Sequence, residues 1–72
     1  MIEVRIFGAL WEHLAPRLEL DLEGLRVADL IAHLDIDPSE VGIVTVDGRQ
    51  SNLDEILPTD SRVCIFPPMF GG

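Results

Sequence analysis

One stretch of this chain repeats its apolar residues at the helical period, and the rest of its patterned sequence alternates. In VADLIAHL, residues 27 to 34, the aliphatics Val27, Leu30, Ile31 and Leu34 fall at i, i+3, i+4 and i+7, one stripe of a helix. Elsewhere the period is two. IEVRIF at 2 to 7 places Ile2, Val4 and Ile6 on one face and Glu3, Arg5 and Phe7 on the other, and RLELDL at 17 to 22 places Leu18, Leu20 and Leu22 inward. GIVTV at 42 to 46 is rich in β-branched residues. A short strand fits near 50 to 51, and RVCIF at 62 to 66 puts Val63 and Ile65 opposite Arg62, Cys64 and Phe66. The order is strand, strand, helix, strand, short strand, strand. A single helical stripe covers one face of one four- or five-stranded sheet, so the expected class is α+β in two layers.

The punctuation agrees. Asp29 lies in the first helical turn, where a carboxylate favours the macrodipole, whereas Arg26 is a poor N-cap. The helix should stop near Asp35, since Asp37 precedes a proline, and DPSE carries the N-cap and N1 residues of one further short turn. Asp47-Gly48 signals a tight hairpin turn, Asn52 followed by LDEI another helical turn, and residues 58 to 61 a turn by composition. Two alternating strands joined by a short connection pair antiparallel, so the first two should form a hairpin.

Seventy-two residues make one domain, residues 1 to 72. The single Cys64 excludes an internal disulfide, and with His13 and His33 it matches no zinc spacing, so no metal is expected. Cys64 reads as a small strand hydrophobe, the histidines as solvated side chains, and Asp35 and Asp37 as surface acids. Charges at Glu3 and Arg5 interrupt the first apolar stretch and no window approaches a membrane span, so a cytoplasmic protein is expected. Thirteen acids against five arginines, with no lysine, give a net charge of −8, which repels nucleic acid and anionic membranes and suits a basic partner.

The ending is FPPMFGG, residues 66 to 72. Terminal glycines stabilise no fold, because they bury no side chain and lose the most conformational freedom. IEVRIFGAL, the VADLIAHL helix, the VDG turn, LPTDSRVCIFPP and the terminal Gly71-Gly72 together resemble, over the whole chain, the MoaD/ThiS family of ubiquitin-like sulfur carriers. The resemblance implies a β-grasp fold, a mixed sheet whose first and last strands are adjacent and parallel, with residues 67 to 72 an extended flexible tail. Pro67-Pro68 is closer to the MoaD branch, the small subunit of molybdopterin synthase. Asp47 stands where the family has Asn before the turn glycine, and Asp60-Ser61 where it has Gly-Asp; aspartate tolerates left-handed dihedrals, so both turns are expected to survive.

The family's activity implies that an E1-like adenylyltransferase uses ATP to activate the carboxylate of Gly72. Sulfur then replaces AMP, and the thiocarboxylate serves an acceptor enzyme. No cofactor is bound permanently, and the free protein is expected to be a monomer. Gly71 and Gly72 leave the reacting carbon open and let the chain thread a channel, while Pro67 and Pro68 hold the tail base extended. Six residues at about 3.3 Å reach roughly 20 Å. The expected acceptor is the molybdopterin synthase large subunit. The alternatives are sulfur transfer to thiamine thiazole, cysteine or tRNA, or a ubiquitin-like modifier joined to lysines. Partner contacts are expected from Phe7, Phe66, Pro67, Pro68, Met69 and Phe70, because adjacent first and last strands place Phe7 and Phe66 on the face away from the helix. Acids around that patch are expected to steer it to a basic rim, unless residues 9 to 15 fold over with Leu10, Trp11 and Leu14 and bury Phe7.

Overall fold

The computed structural model describes residues 1–8 and 15–68. Alternation produces five strands: β1 (Ile2–Ile6), β2 (Arg17–Leu20), β3 (Ile43–Val46), β4 (Arg49–Ser51) and β5 (Arg62–Phe66). They form one sheet in the order β2-β1-β5-β3-β4. β1 and β2 make the expected antiparallel pair, with Ile2 opposite Leu20. β5 enters between β1 and β3, parallel to β1 with Val4 beside Val63, and antiparallel to β3 with Val44 beside Ile65. A parallel pair needs a crossover, and the helix supplies it. This is the mixed β-grasp sheet with one helix that the resemblance implied.

Helix α1 (Val27–His33) lays its stripe on one face of that sheet. Val27, Leu30 and Ile31 are fully buried and Leu34 nearly so, packed with Ile2, Val4, Val46, Val63 and Ile65. Each buried aliphatic of this kind contributes about 1.5–3 kcal/mol. β2 stops at Leu20, two residues earlier than the alternation suggests, yet Leu22 still packs against the core. The helix ends on Leu34, and Asp35 turns into the left-handed region at φ 58°. DPSE forms a 3-10 turn (Pro38–Glu40) in which Asp37 Oδ1 accepts the Ser39 N–H at 2.9 Å. Among the described residues, no helix is long and apolar enough to cross a membrane.

Residues 52–56 do not form the expected helical turn. Asn52 Oδ1 accepts the Asp54 N–H at 2.9 Å and folds the chain locally, and Ile56 bridges to Arg26. The carbonyls of Glu55 and Leu53 accept the N–H groups of Val27 and Ala28 at 2.9 and 3.0 Å. An isolated segment gains from its own helical bonds; here its carbonyls instead satisfy donors at the start of α1 that have no partner within the helix. That also explains how α1 begins after Arg26, whose own N–H is held by Asp29 Oδ2 at 3.0 Å.

Both departures at the turns are absorbed. Asp47 (φ 51°) and Gly48 (φ 87°) adopt the left-handed pair of a two-residue hairpin between β3 and β4, and Asp60 sits at φ 59°. Asp47 does more than tolerate its dihedral, because its Oδ1 accepts the Arg62 N–H at 2.9 Å and ties the hairpin to the start of β5.

Candidate functional site

The chain leaves the sheet at the end of β5, where β1 ends on one side and β3 begins on the other. Pairing continues to Ile6 beside Ile65 and to Ile43 beside Phe66. Alternation sends Val63 and Ile65 into the core and Phe66 out of the opposite face, as read from the sequence. Phe7, one residue past the end of β1, meets Phe66 in a parallel stack with ring centroids 4.6 Å apart and planes 7° from coplanar. Ile43, which the sequence reading had not singled out, extends this apolar row across β3. Phe7 is 42% exposed and Ile43 39%, while Phe66 is half-buried. The cover for Phe7 proposed from Leu10, Trp11 and Leu14 falls on residues 9–14, outside those described, as does His13.

Away from that row the open face becomes polar. Arg5, Cys64 and Thr45 lie side by side in register across β1, β5 and β3, and beyond them come Glu3 and Arg62. Of these, Arg5, Cys64, Glu3 and Arg62 line an open hollow of about 690 Å³. Glu3 is its electrostatic centre. Its carboxylate takes the Nε of Arg5 at 3.0 Å and of Arg17 at 3.4 Å through Oε1, and that of Arg62 at 3.8 Å through Oε2. The Arg5 hydrogen bond first, and then attraction to Arg17 and Arg62, hold its pKa below the ordinary value despite some desolvation. Acids line the hollow as well, Glu3, Glu19, Asp47 and Asp60. The charged residue in the row next to the aromatics is Arg5, with Arg17 opposite it on β2, while Asp47 and Asp60 lie at the far end of the hollow with Glu3. Period-two spacing put Glu3 and Arg5 on one face; only the sheet order brought Arg17 and Arg62 to them.

Pro67 and Pro68 follow β5 directly and are half-buried. Gly8, at φ 105°, lies against the Pro67 ring: a Cβ there would stand 2.9 Å from its Cγ. Gly42, at the head of β3, lies against the tail backbone, and its N–H donates to the Phe66 carbonyl at 2.8 Å. The sequence reading passed over both glycines as tail contacts. A glycine beside a strand marks a close backbone approach, and that signal was present in GIVTV. The remaining expected site residues, Met69, Phe70, Gly71 and Gly72, lie outside those described.

Cys64 is half-buried on the open face and His33 is exposed. Among the described residues, no three His, Cys, Asp or Glu side chains gather as a metal site. What the geometry offers is an apolar row beside a chain exit, suited to docking a partner and presenting a chain end to it.

Comparison with known proteins agrees. The profile of the ThiS family matches residues 4–72. A putative molybdopterin converting factor, subunit 1, from Pyrococcus furiosus is 28% identical, with a TM-score of 0.72 over 94% of this chain and 97% of that one. SAMP1 from Haloferax volcanii, 23% identical, shares the fold with a TM-score of 0.71 over 99% of this chain and 98% of its own. No curated protein sequence matches the chain.

Proposed function

This chain belongs to the ThiS family of ThiS/MoaD-like ubiquitin-fold sulfur carriers, and from that premise we propose that Gly72 is its working residue, carrying sulfur as a thiocarboxylate. The observation that carries the reading is that the family match runs to residue 72, so the Gly71-Gly72 end lies inside it. A carboxylate oxygen of Gly72 attacks the α-phosphorus of ATP on an E1-like adenylyltransferase, and pyrophosphate leaves. The terminal sulfur of a persulfide then attacks the carbonyl carbon, forming a C–S bond as AMP departs. A second thiol cleaves the acyl disulfide, taking the outer sulfur into a new disulfide and leaving the thiocarboxylate. Its sulfur attacks an electrophilic carbon of the acceptor substrate as an oxygen leaving group departs from that carbon, and water then cleaves the resulting thioester, leaving the sulfur on the product and restoring the Gly72 carboxylate. Glycine serves at this position because it keeps the acyl carbon unhindered in each attack. In this reading the steps draw on ATP and so run in the cytoplasm.

In this reading the row of Phe7, Phe66 and Ile43 docks the partners, and Pro67-Pro68 aims Met69, Phe70, Gly71 and Gly72 into their channels. Aromatic anchors at an exposed apolar patch are the usual energetic centre of such an interface. Pro67-Pro68 and the likeness to the Pyrococcus protein favour molybdopterin synthesis, with the synthase large subunit as acceptor.

Incubation with ATP, the matching activating enzyme and a sulfur source should raise the intact mass by the exchange of one oxygen for sulfur. Deleting Gly72 should abolish that change and leave the thermal midpoint nearly where it was. Sulfur uptake by the truncated chain refutes the assignment. The loaded protein, mixed with a molybdopterin synthase large subunit and its pterin precursor, should yield the dithiolene; turnover only with a thiazole synthase moves it to another branch. Ladders of conjugates in lysates, without free thiocarboxylate, make it a modifier instead.

A further inference from the structure

The direction in which the tail leaves the sheet has to be set by something, and hydrogen bonding cannot do it alone. β5 is paired with β1 as far as Ile65 and with β3 as far as Phe66. Pro67 and Pro68 have no N–H to donate, so the ladder that fixes β5 has no donors beyond that point. Contacts take over there. The ring of Pro67 rests on Gly8, and the backbone at Pro67-Pro68 rests on Gly42.

Gly42 is unlike Gly8 in one respect. Gly8 adopts φ 105°, which by itself calls for glycine, whereas Gly42 lies outside that left-handed region. An alanine at 42 therefore meets no strain in its own backbone. Its Cβ would overlap the Pro67 carbonyl oxygen and stand 2.7 Å from both the Pro67 carbonyl carbon and the Pro68 Cα. These are backbone atoms of a stiff proline pair, not the tip of a side chain that can swing aside. Accommodating the methyl group requires the tail base and the head of β3 to move apart.

We infer that Gly42 is a positioning residue for the sulfur-carrying end: the missing side chain is a notch at the head of β3 that sets the exit angle of Pro67-Pro68. This rests on the carrier reading above. Four residues separate Pro68 from the terminal carboxylate, a reach of about 13 Å when extended. A tilt at the proline pair changes the point and direction from which those four residues start. Misplacing a reacting group by about 1 Å can cost 10²-fold in rate, even when the change lies far from the chemistry.

The test uses the full chain with its activating enzyme and ATP. Gly42→Ala should lower kcat for adenylate formation about 10-fold or more while KM changes less than about 3-fold, because the docking row is untouched. Pro68→Gly frees the same joint without the steric push and should also lower kcat. In the Gly42→Ala background, however, it should recover part of the loss, so the two changes are non-additive. A readout independent of activity is the nuclear Overhauser contact between the Gly42 and Pro68 α-protons, expected in the wild type and lost in Gly42→Ala. The inference is overturned if the contact is absent from the wild type. It is equally overturned if Gly42→Ala is adenylated at the wild-type kcat, or if its loss is additive with Pro68→Gly and follows a lowered thermal midpoint. A wild-type protein that its activating enzyme never adenylates defeats the carrier reading instead, and the α-proton contact then decides the notch alone.

Discussion

Replacing Phe7 with serine separates docking from folding at the apolar row. Phe7 is 42% exposed, so a little more than half of the roughly 1.5–3 kcal/mol for a fully buried phenylalanine is at stake. The stack on Phe66 at 4.6 Å adds about 0.5–1.5 kcal/mol. The expected loss is thus about 1.5–3 kcal/mol, against a total of about 4–11 kcal/mol for a chain of this length. The variant should stay folded. Its affinity for the activating enzyme should fall by about 2 kcal/mol or more, roughly 30-fold, if Phe7 is a desolvated anchor. Urea titration gives the first quantity, and calorimetric titration with the enzyme gives the second. A cycle with Phe66→Ala isolates the ring–ring term, expected at about 0.5–1.5 kcal/mol. The reasoning is refuted if folded Phe7→Ser binds as tightly as the wild type, or if the variant unfolds while its folded fraction binds normally. Either result makes the aromatic row a part of the fold rather than a contact surface.

Two further expectations concern stability. Ser61 is 2% exposed and its Oγ has no hydrogen-bond partner among the described residues, so Ser61→Ala should be neutral or stabilising by about 1 kcal/mol in urea; a loss above about 1 kcal/mol contradicts the unpaired hydroxyl. The pH dependence follows from three carboxylates held below their ordinary values: Glu3 by the Arg5 hydrogen bond, Glu55 by that of Arg49, and Asp37 by the Ser39 N–H. A depressed folded pKa contributes stability that is present above the unfolded value, 4.5 for the two glutamates and 3.8 for the aspartate, and is lost as pH falls through the folded one. The thermal midpoint should therefore drop between about pH 5 and about pH 3, less in salt because these groups face solvent. Glu3→Gln should flatten that drop, and an unchanged profile in this variant contradicts the role given to the arginines around it.

Much of the fold was legible because its signals are local. Alternation at Ile2, Val4 and Ile6 and at Val63 and Ile65, and the single helical stripe from Val27 to Leu34, each follow from the geometry of one element and need no partner to be read. The same holds for Asp47 and Asp60, whose short polar side chains suit the left-handed dihedrals they adopt. The orientation of Phe66 could likewise be read from one strand. That it stacks on Phe7 depends on β1 and β5 being neighbours, which periodicity says nothing about and the family resemblance alone implied.

Tertiary structure decided wherever a residue's role lies in a distant segment. Residues 52–56 carry helical signals but give their carbonyls to the start of α1, since the N–H groups of Val27 and Ala28 have no partner within the helix. Glu3 becomes the centre of three arginines only because the sheet order places β2 and β5 on either side of β1. Gly42 looks in the sequence like a weak first residue of a strand. Its meaning appears only when Pro67-Pro68, twenty-five residues further along, is laid across it, because an absent side chain acts through whatever occupies its space.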